Sequence, residues 1–249
     1  MHWGKVLGVG LLVLAIQGCG AKEIIVPPGM VHVKHGSFTK GYEGKGALAT
    51  EKPKQTILME KGFFIDIYEV TNEQYFNFST ATGTEKPTPF PAYWEKEKLL
   101  QNGKLTDDAR MLPVVNITHA EAQAYAEHHG KRLPTEHEWE YAARGEWSLL
   151  YPWGKDWQAG AANDFEAGEN GPVRVGKYNE GKGPFGTYDQ AGNVWEWTSS
   201  IPDEAKPTLH VIKGGSYHPR DPKPRASLSY RKDAGARAKN LGFRCVKDM

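Results

Sequence analysis

Apolar and polar positions alternate from residue 29 to 39, GMVHVKHGSFT, and predict a first β-strand. Residues 40–56 are rich in Gly, Glu and Lys and predict a loop. FFIDIYEV, residues 63–70, is a run of aromatic and β-branched residues and predicts a second strand. The period then changes. Tyr75, Phe76 and Phe78 follow Thr71; Ala122, Tyr125, Ala126 and His129 follow Thr118; Trp139, Ala142 and Ala143 follow Thr135. That spacing predicts three short amphipathic helices. Each opens with a threonine three residues before Gln74, Glu121 or Glu138. In such a capping box the hydroxyl accepts an orphan amide of the first turn and the third side chain reaches back. Pro134 discourages helix upstream of Thr135. The first two helices are separated by an irregular insert, residues 81–112, with Pro87, Pro89, Pro91 and Trp94, expected to form a lid or a partner surface. Beyond residue 145 the pattern predicts loops and short strands: YPWG at 151–154, VRVGKY at 173–178, NVWEWT at 193–198, HVIKGGSY at 210–217 and GFRCV at 242–246.

The apolar run Val6–Ile16 follows neither period. It is too short for a stable bilayer span and reads as a signal peptide, residues 1–18. Its end, Ile16-Gln17-Gly18-Cys19, resembles a bacterial lipobox. The resemblance implies that Cys19 carries acyl chains such as palmitate, which together hold a protein firmly on a membrane. Residues 19–28 then form the lipidated cysteine and its tether, and residues 29–249 a domain facing the periplasm or cell exterior. Gly20 stands where an aspartate is associated with inner-membrane retention, which favours the outer membrane.

Composition narrows the picture in two places. A formal charge of +1 provides no basic field for nucleic acid. The chain also has only two cysteines. Lipid on Cys19 would leave Cys245 without an intramolecular partner. Cys245 then reads as a small buried hydrophobe beside Phe243 and Val246, with an exposed or redox thiol as the alternative.

Several motifs occur together in order: FFIDIYEVTNEQYFNF, LPVVNITHAEAQAYAEHHGKRLPTEHEWEYAARG, YPWG, FGTYDQAGNVWEWTSS, VIKGGSY and NLGFRCV. From Val31 to Val246 they resemble the sulfatase-modifying-factor family, whose best-known member is the formylglycine-generating enzyme. The resemblance implies an α+β fold, a modified C-type-lectin-like domain with short capped helices and much irregular structure. It also implies an oxidase that uses oxygen and a copper ion held by two cysteines between GGSY and NLGFRC. Here that interval, residues 218–239, has no cysteine. The copper positions fall near Pro219 and around Pro222–Pro224. Cuprous ions want soft thiolates, so no copper is expected. Cys245 matches a family cysteine that pairs elsewhere in the enzyme. The family's structural calcium site maps onto Asp189, Gly192, Val194 and Glu196, whose oxygens are hard donors. Asn163 and Asp164 match the start of a second calcium site. Its downstream part is missing from FEAGENGPV, where Glu169 is an alternative ligand.

The histidines show no metal-ligand spacing such as HExxH. His218 stands out because it falls in the segment equivalent to the family's active-site groove. Arg220, Lys223, Arg225, Arg231 and Lys232 form a basic cluster nearby, either a solvated surface or a site for an acidic or extended peptide. Trp153, Trp195 and Trp197 lie in scaffold motifs and are expected in the core rather than on a carbohydrate platform. The expected function is a lipid-anchored, non-catalytic accessory or protein-binding subunit on the outer face of a bacterial membrane. Its partners would be the membrane, through the anchor, and an extracytoplasmic protein or membrane complex, without nucleic acid. The alternative is an oxidoreductase or protein-modifying enzyme of the same fold, with chemistry built on His218 and its neighbours instead of copper thiolates.

Overall fold

All three expected capping boxes form. A computed structural model describes residues 24–82 and 95–249; the signal peptide, Cys19 and the part of the insert from Pro87 to Trp94 lie outside the described residues. Thr71 caps α1 (Asn72–Ala81), Thr118 caps α3 (His119–His128) and Thr135 caps α4 (Glu136–Arg144), with the one-turn α2 (Asp107–Arg110) between the first two. In each box the threonine oxygen accepts the amide of Gln74, Glu121 or Glu138. The returning side chain accepts the threonine amide at 2.8–2.9 Å.

The first expected strand divides into β1 (Met30–Val33) and β2 (Gly36–Lys40). The division follows from their partners. β1 pairs with β4 (Phe63–Asp66), while β2 pairs with β3 (Gln55–Met59), so the chain must turn at Lys34 and His35. The loop expected at residues 40–56 therefore covers only 41–54, broken by a 3-10 turn at Ala49–Glu51, because β2 runs to Lys40 and β3 begins at Gln55. The second expected strand stops at Asp66 instead of Val70. There the backbone bends, and the Val70 amide bonds to Phe243 O.

β4 lies between β1 and β11 (Val246–Asp248) in one antiparallel sheet. A second sheet has the order β10 (Leu241–Gly242), β7 (Trp195–Trp197), β8 (Leu209–Lys213), β9 (Ser229–Asp233), with β10 and β7 parallel. The short β5 (Leu100–Gln101) and β6 (Lys104–Leu105) form a small hairpin in the insert. YPWG and VRVGKY form no strands. Tyr151 and Gly154 instead close a tight turn, and Val173, Val175 and Gly176 give their amides to Asn193 Oδ1, Met111 O and Asp189 Oδ2.

The main core gathers Tyr75 and Phe78 of α1, Ala122 and Tyr125 of α3, Trp197, Phe243 and Cys245. Gly242 is required here, because a Cβ at that position would collide with the Val114 carbonyl. Cys245 is fully buried and free, and burial pushes its thiol well above the usual range. It is thus the small hydrophobe expected from its neighbours. Beneath α4 lies a buried ionic network: Glu140 accepts Lys213 Nζ at 2.8 Å and Arg144 Nη1 at 2.5 Å.

Candidate functional site

Residues of β7, β8, β9 and β10 line one side of a shallow groove, and the segment after GGSY lines the other. Asp221 lies at its centre. One oxygen, Oδ2, accepts the Trp195 indole at 2.8 Å, the Ser216 hydroxyl, and more weakly Asn240 Nδ2 at 3.4 Å. Asn240 also donates to Ser216 Oγ at 2.9 Å. These bonds divide the groove. On one side is an aromatic slot of about 190 Å³, walled by Trp195, Ile212, Tyr230 and Leu241, with Arg231 and Lys232 on its lining. Trp195 and Tyr230 meet edge-to-face at 5.1 Å. On the other side is a cavity of about 170 Å³ lined by Pro219, Pro222, Pro224, Phe165 and Lys223.

The prolines lie where the resemblance places copper ligands. Copper does not fit there: proline offers no donor, and Cys245 is enclosed in the core. Nor does His218 gather a catalytic set. Its Nδ1 accepts the Arg220 amide at 3.2 Å, and its nearest ring partner is Tyr217 at 6.5 Å.

The basic cluster separates into two groups. Arg225 is unavailable as a partner site, because its guanidinium holds buried Glu51 at 2.6 Å and packs over Tyr42. Lys223 pairs with Glu166 at 2.8 Å and lies over Trp157 at 4.3 Å. Arg220, Arg231 and Lys232 have no ion-pair partner among the described residues. Both residues line the slot, as successive positions of β9.

Asp189, Gly192 and Val194 lie in one buried loop, and Glu196 lies in β7, which follows it. Both Glu196 oxygens are already engaged: Arg244 donates to each at 2.7 Å, and Trp139 Nε1 adds a bond at 2.8 Å. Asp189 Oδ2 accepts the Gly176 amide. As placed, the Glu196 end of this set holds the Arg244 guanidinium and the Asp189 end holds a backbone amide. Among the described residues no group of three or more His, Cys, Asp or Glu is arranged around a metal position. Glu69 completes the cluster. Burial and the neighbouring Asp189 raise its carboxyl well above the usual range, and its Oε2 has no donor in reach. A proton on Glu69 leaves two carboxylates, Asp189 and Glu196, facing the one guanidinium of Arg244. Asn163 Nδ2 donates to Gly171 O and Asn193 Oδ1, while Asp164 caps a 3-10 turn through Ala167 N. Glu169 lies apart from both, bonded to Lys177 and Tyr178.

Asp221 and Asn240 were not among the sequence candidates. The signal for Asp221 was available: a single carboxylate between Pro219 and Pro222, in a segment without cysteine. Trp195 reads as core and is mostly buried, but its indole N–H reaches the groove.

The Sulfatase-modifying factor enzyme 1-like domain (FGE-sulfatase) profile matches residues 20–249. The chain is 31% identical over 247 residues to "Serine/threonine-protein kinase pkn1" of Chlamydia pneumoniae, covering 88% of this chain and 38% of that protein. It thus spans well under half the length of that relative. It is 29% identical over 268 residues to "Inactive C-alpha-formylglycine-generating enzyme 2" of Mus musculus, covering 88% of this chain and 85% of that protein. Among solved structures, PvdO from Pseudomonas aeruginosa matches with a TM-score of 0.70, over 88% of this chain and 94% of that one. At 23% identity this is a likeness of fold.

Proposed function

This chain belongs to the sulfatase-modifying factor family and has its α+β fold, and we propose that it is a member that binds rather than oxidises. It would be a lipid-anchored accessory subunit outside the cytoplasm, holding an extended, acidic segment of a partner protein in the groove. The observation that carries this reading is the replacement of the copper thiolates by Pro219, Pro222 and Pro224. Two further features support it. The slot between Trp195 and Tyr230 takes an apolar side chain, and the charges of Arg231 and Lys232 suit acidic neighbours. Anchoring through Cys19 raises the encounter rate with partners on the same membrane by raising local concentration. The name of the murine relative agrees with a non-catalytic role.

The test uses the full-length protein isolated from detergent-solubilised membranes. The expected result is a stoichiometric partner that is lost in the charge reversal Arg231→Glu with Lys232→Glu. Cys19→Ala should move the protein from the membrane to the soluble fraction. Recovery of a stoichiometric redox metal, or of oxygen uptake dependent on a protein substrate, would overturn the binding reading in favour of an enzyme.

A further inference from the structure

A cavity of about 780 Å³ lies at the C-terminal end of α4 and shares no lining residue with the groove. Arg144 builds its walls. The guanidinium donates to the carbonyls of Thr39, Gly41 and Ser148 at 3.0 Å and of Leu149 at 2.6 Å, and to Glu140. These bonds tie the end of β2 to the chain after α4 and engage all the polar atoms of Arg144, so Arg144 is scaffold. The turn that follows is set by left-handed backbone at Gly145 (φ 63°) and Ser148 (φ 52°). It holds Trp147 outward, 76% exposed, at the edge of the cavity. A large aromatic ring left in water on a fixed turn is unusual for a scaffold position.

The chemistry around Trp147 is mixed. Glu43, Glu146, Lys54 and Lys155 line the cavity together with Tyr42. Glu146 pairs with Lys34, and Glu43 accepts the Lys54 amide. The ammonium groups of Lys54 and Lys155 have no ion-pair partner among the described residues. Counting Lys34, which pairs with Glu146, the rim carries three lysines against two carboxylates, a mixed set with no strong field of either sign to select a charged ligand. A polyanion would meet the two carboxylates, and an apolar ligand would desolvate four charges without replacing their hydrogen bonds. A polyhydroxyl ligand avoids both costs, because each hydroxyl donates and accepts. Its C–H faces are also suited to the negative face of an indole. The size is that of an ordinary small-molecule pocket. We infer that this cavity is a binding site for a neutral oligosaccharide, with Trp147 as the stacking platform. It is independent of the groove and of its proposed partner.

The test is calorimetric titration of the purified protein with cellohexaose, maltohexaose and chitohexaose, followed in parallel by tryptophan fluorescence. At least one should bind saturably and perturb the fluorescence. Trp147→Ala should weaken that binding by about tenfold or more, the scale expected from losing one buried aromatic contact. Trp147→Phe should keep most of it, and an unchanged unfolding midpoint in both variants separates lost contact from lost fold. Saturable binding to none of the three overturns the inference. So does a hexasaccharide whose affinity is unaffected in a folded Trp147→Ala protein, or tighter binding of polyglutamate or polygalacturonate at this site.

Discussion

Removing the Arg244 guanidinium leaves Glu196 buried with Glu69 and Asp189 and no cation among them. Arg244 is fully buried and also donates to the carbonyls of Tyr188, Asp66 and Ile67. Breaking a buried pair from one side is costly because the surviving charge cannot reach water. Arg244→Met should therefore lower unfolding stability by about 3–5 kcal/mol in urea titration. Adding Glu196→Gln should recover part of the loss, because the remaining group is neutral and still accepts the Trp139 indole. A double variant no more stable than the single one would count against this account. The NLGFRCV motif shows an arginine among core residues, which the structure places between β10 and β11 rather than in the expected strand, and its partner stands 48 positions away. No local pattern identifies Glu196 as that partner.

The helix starts were legible because a cap is local. A threonine and a glutamate three residues apart can satisfy each other whatever surrounds them. Thr135→Ala should cost about 1 kcal/mol, the usual scale for a lost cap. Glu138→Ala should cost more, since Glu138 also holds the Arg132 guanidinium at 2.6–2.7 Å, and Arg132 bonds Asp248 of β11. Thermal denaturation of the two variants checks the order; equal losses would show that the link to β11 contributes nothing. Strands were less legible. GMVHVKHGSFT alternates roughly, yet its two halves pair with different strands. VRVGKY has the alternation of a strand but bonds to Met111, Asp189 and Asn193, so no ladder forms.

Between elements, a stacked histidine pair links α3 to β8. The rings of His119 and His210 lie 3.6 Å apart at 20°, both buried. Burial and the neighbouring ring pull His119 down to about 4, against the pull of Thr198 O, which its Nε2 meets at 3.0 Å. Burial also lowers His210, with Asp233 acting in the other direction. Both are neutral when folded and take up protons more readily when unfolded. Stability is therefore full above the ordinary histidine range and is lost as pH falls from about 6.5 towards 4. The His119 shift alone predicts a loss of about 2 kcal/mol between pH 7 and pH 5. Urea unfolding across that range should show it, and His210→Phe should shrink it by removing one charge and its repulsion. A flat profile in the unsubstituted protein would refute the assignment.

The sequence by itself determined the family, the three capped helices, the solitary core cysteine and the absence of cysteine from residues 218–239. Each depends on residue identity at a position, or on contacts within one turn of chain. Only the tertiary structure decided which side chains remain available. Arg225 is consumed by Glu51 from 174 residues away, and Glu196 by Arg244. Among the described residues Arg231 and Lys232 have no ion-pair partner, Asp221 gathers Trp195, Ser216 and Asn240, and Trp147 is held in solvent on a strained turn. Charge and aromatic character are written in the chain, but availability depends on what folds opposite, and those partners lie too far away in sequence for any local pattern to specify.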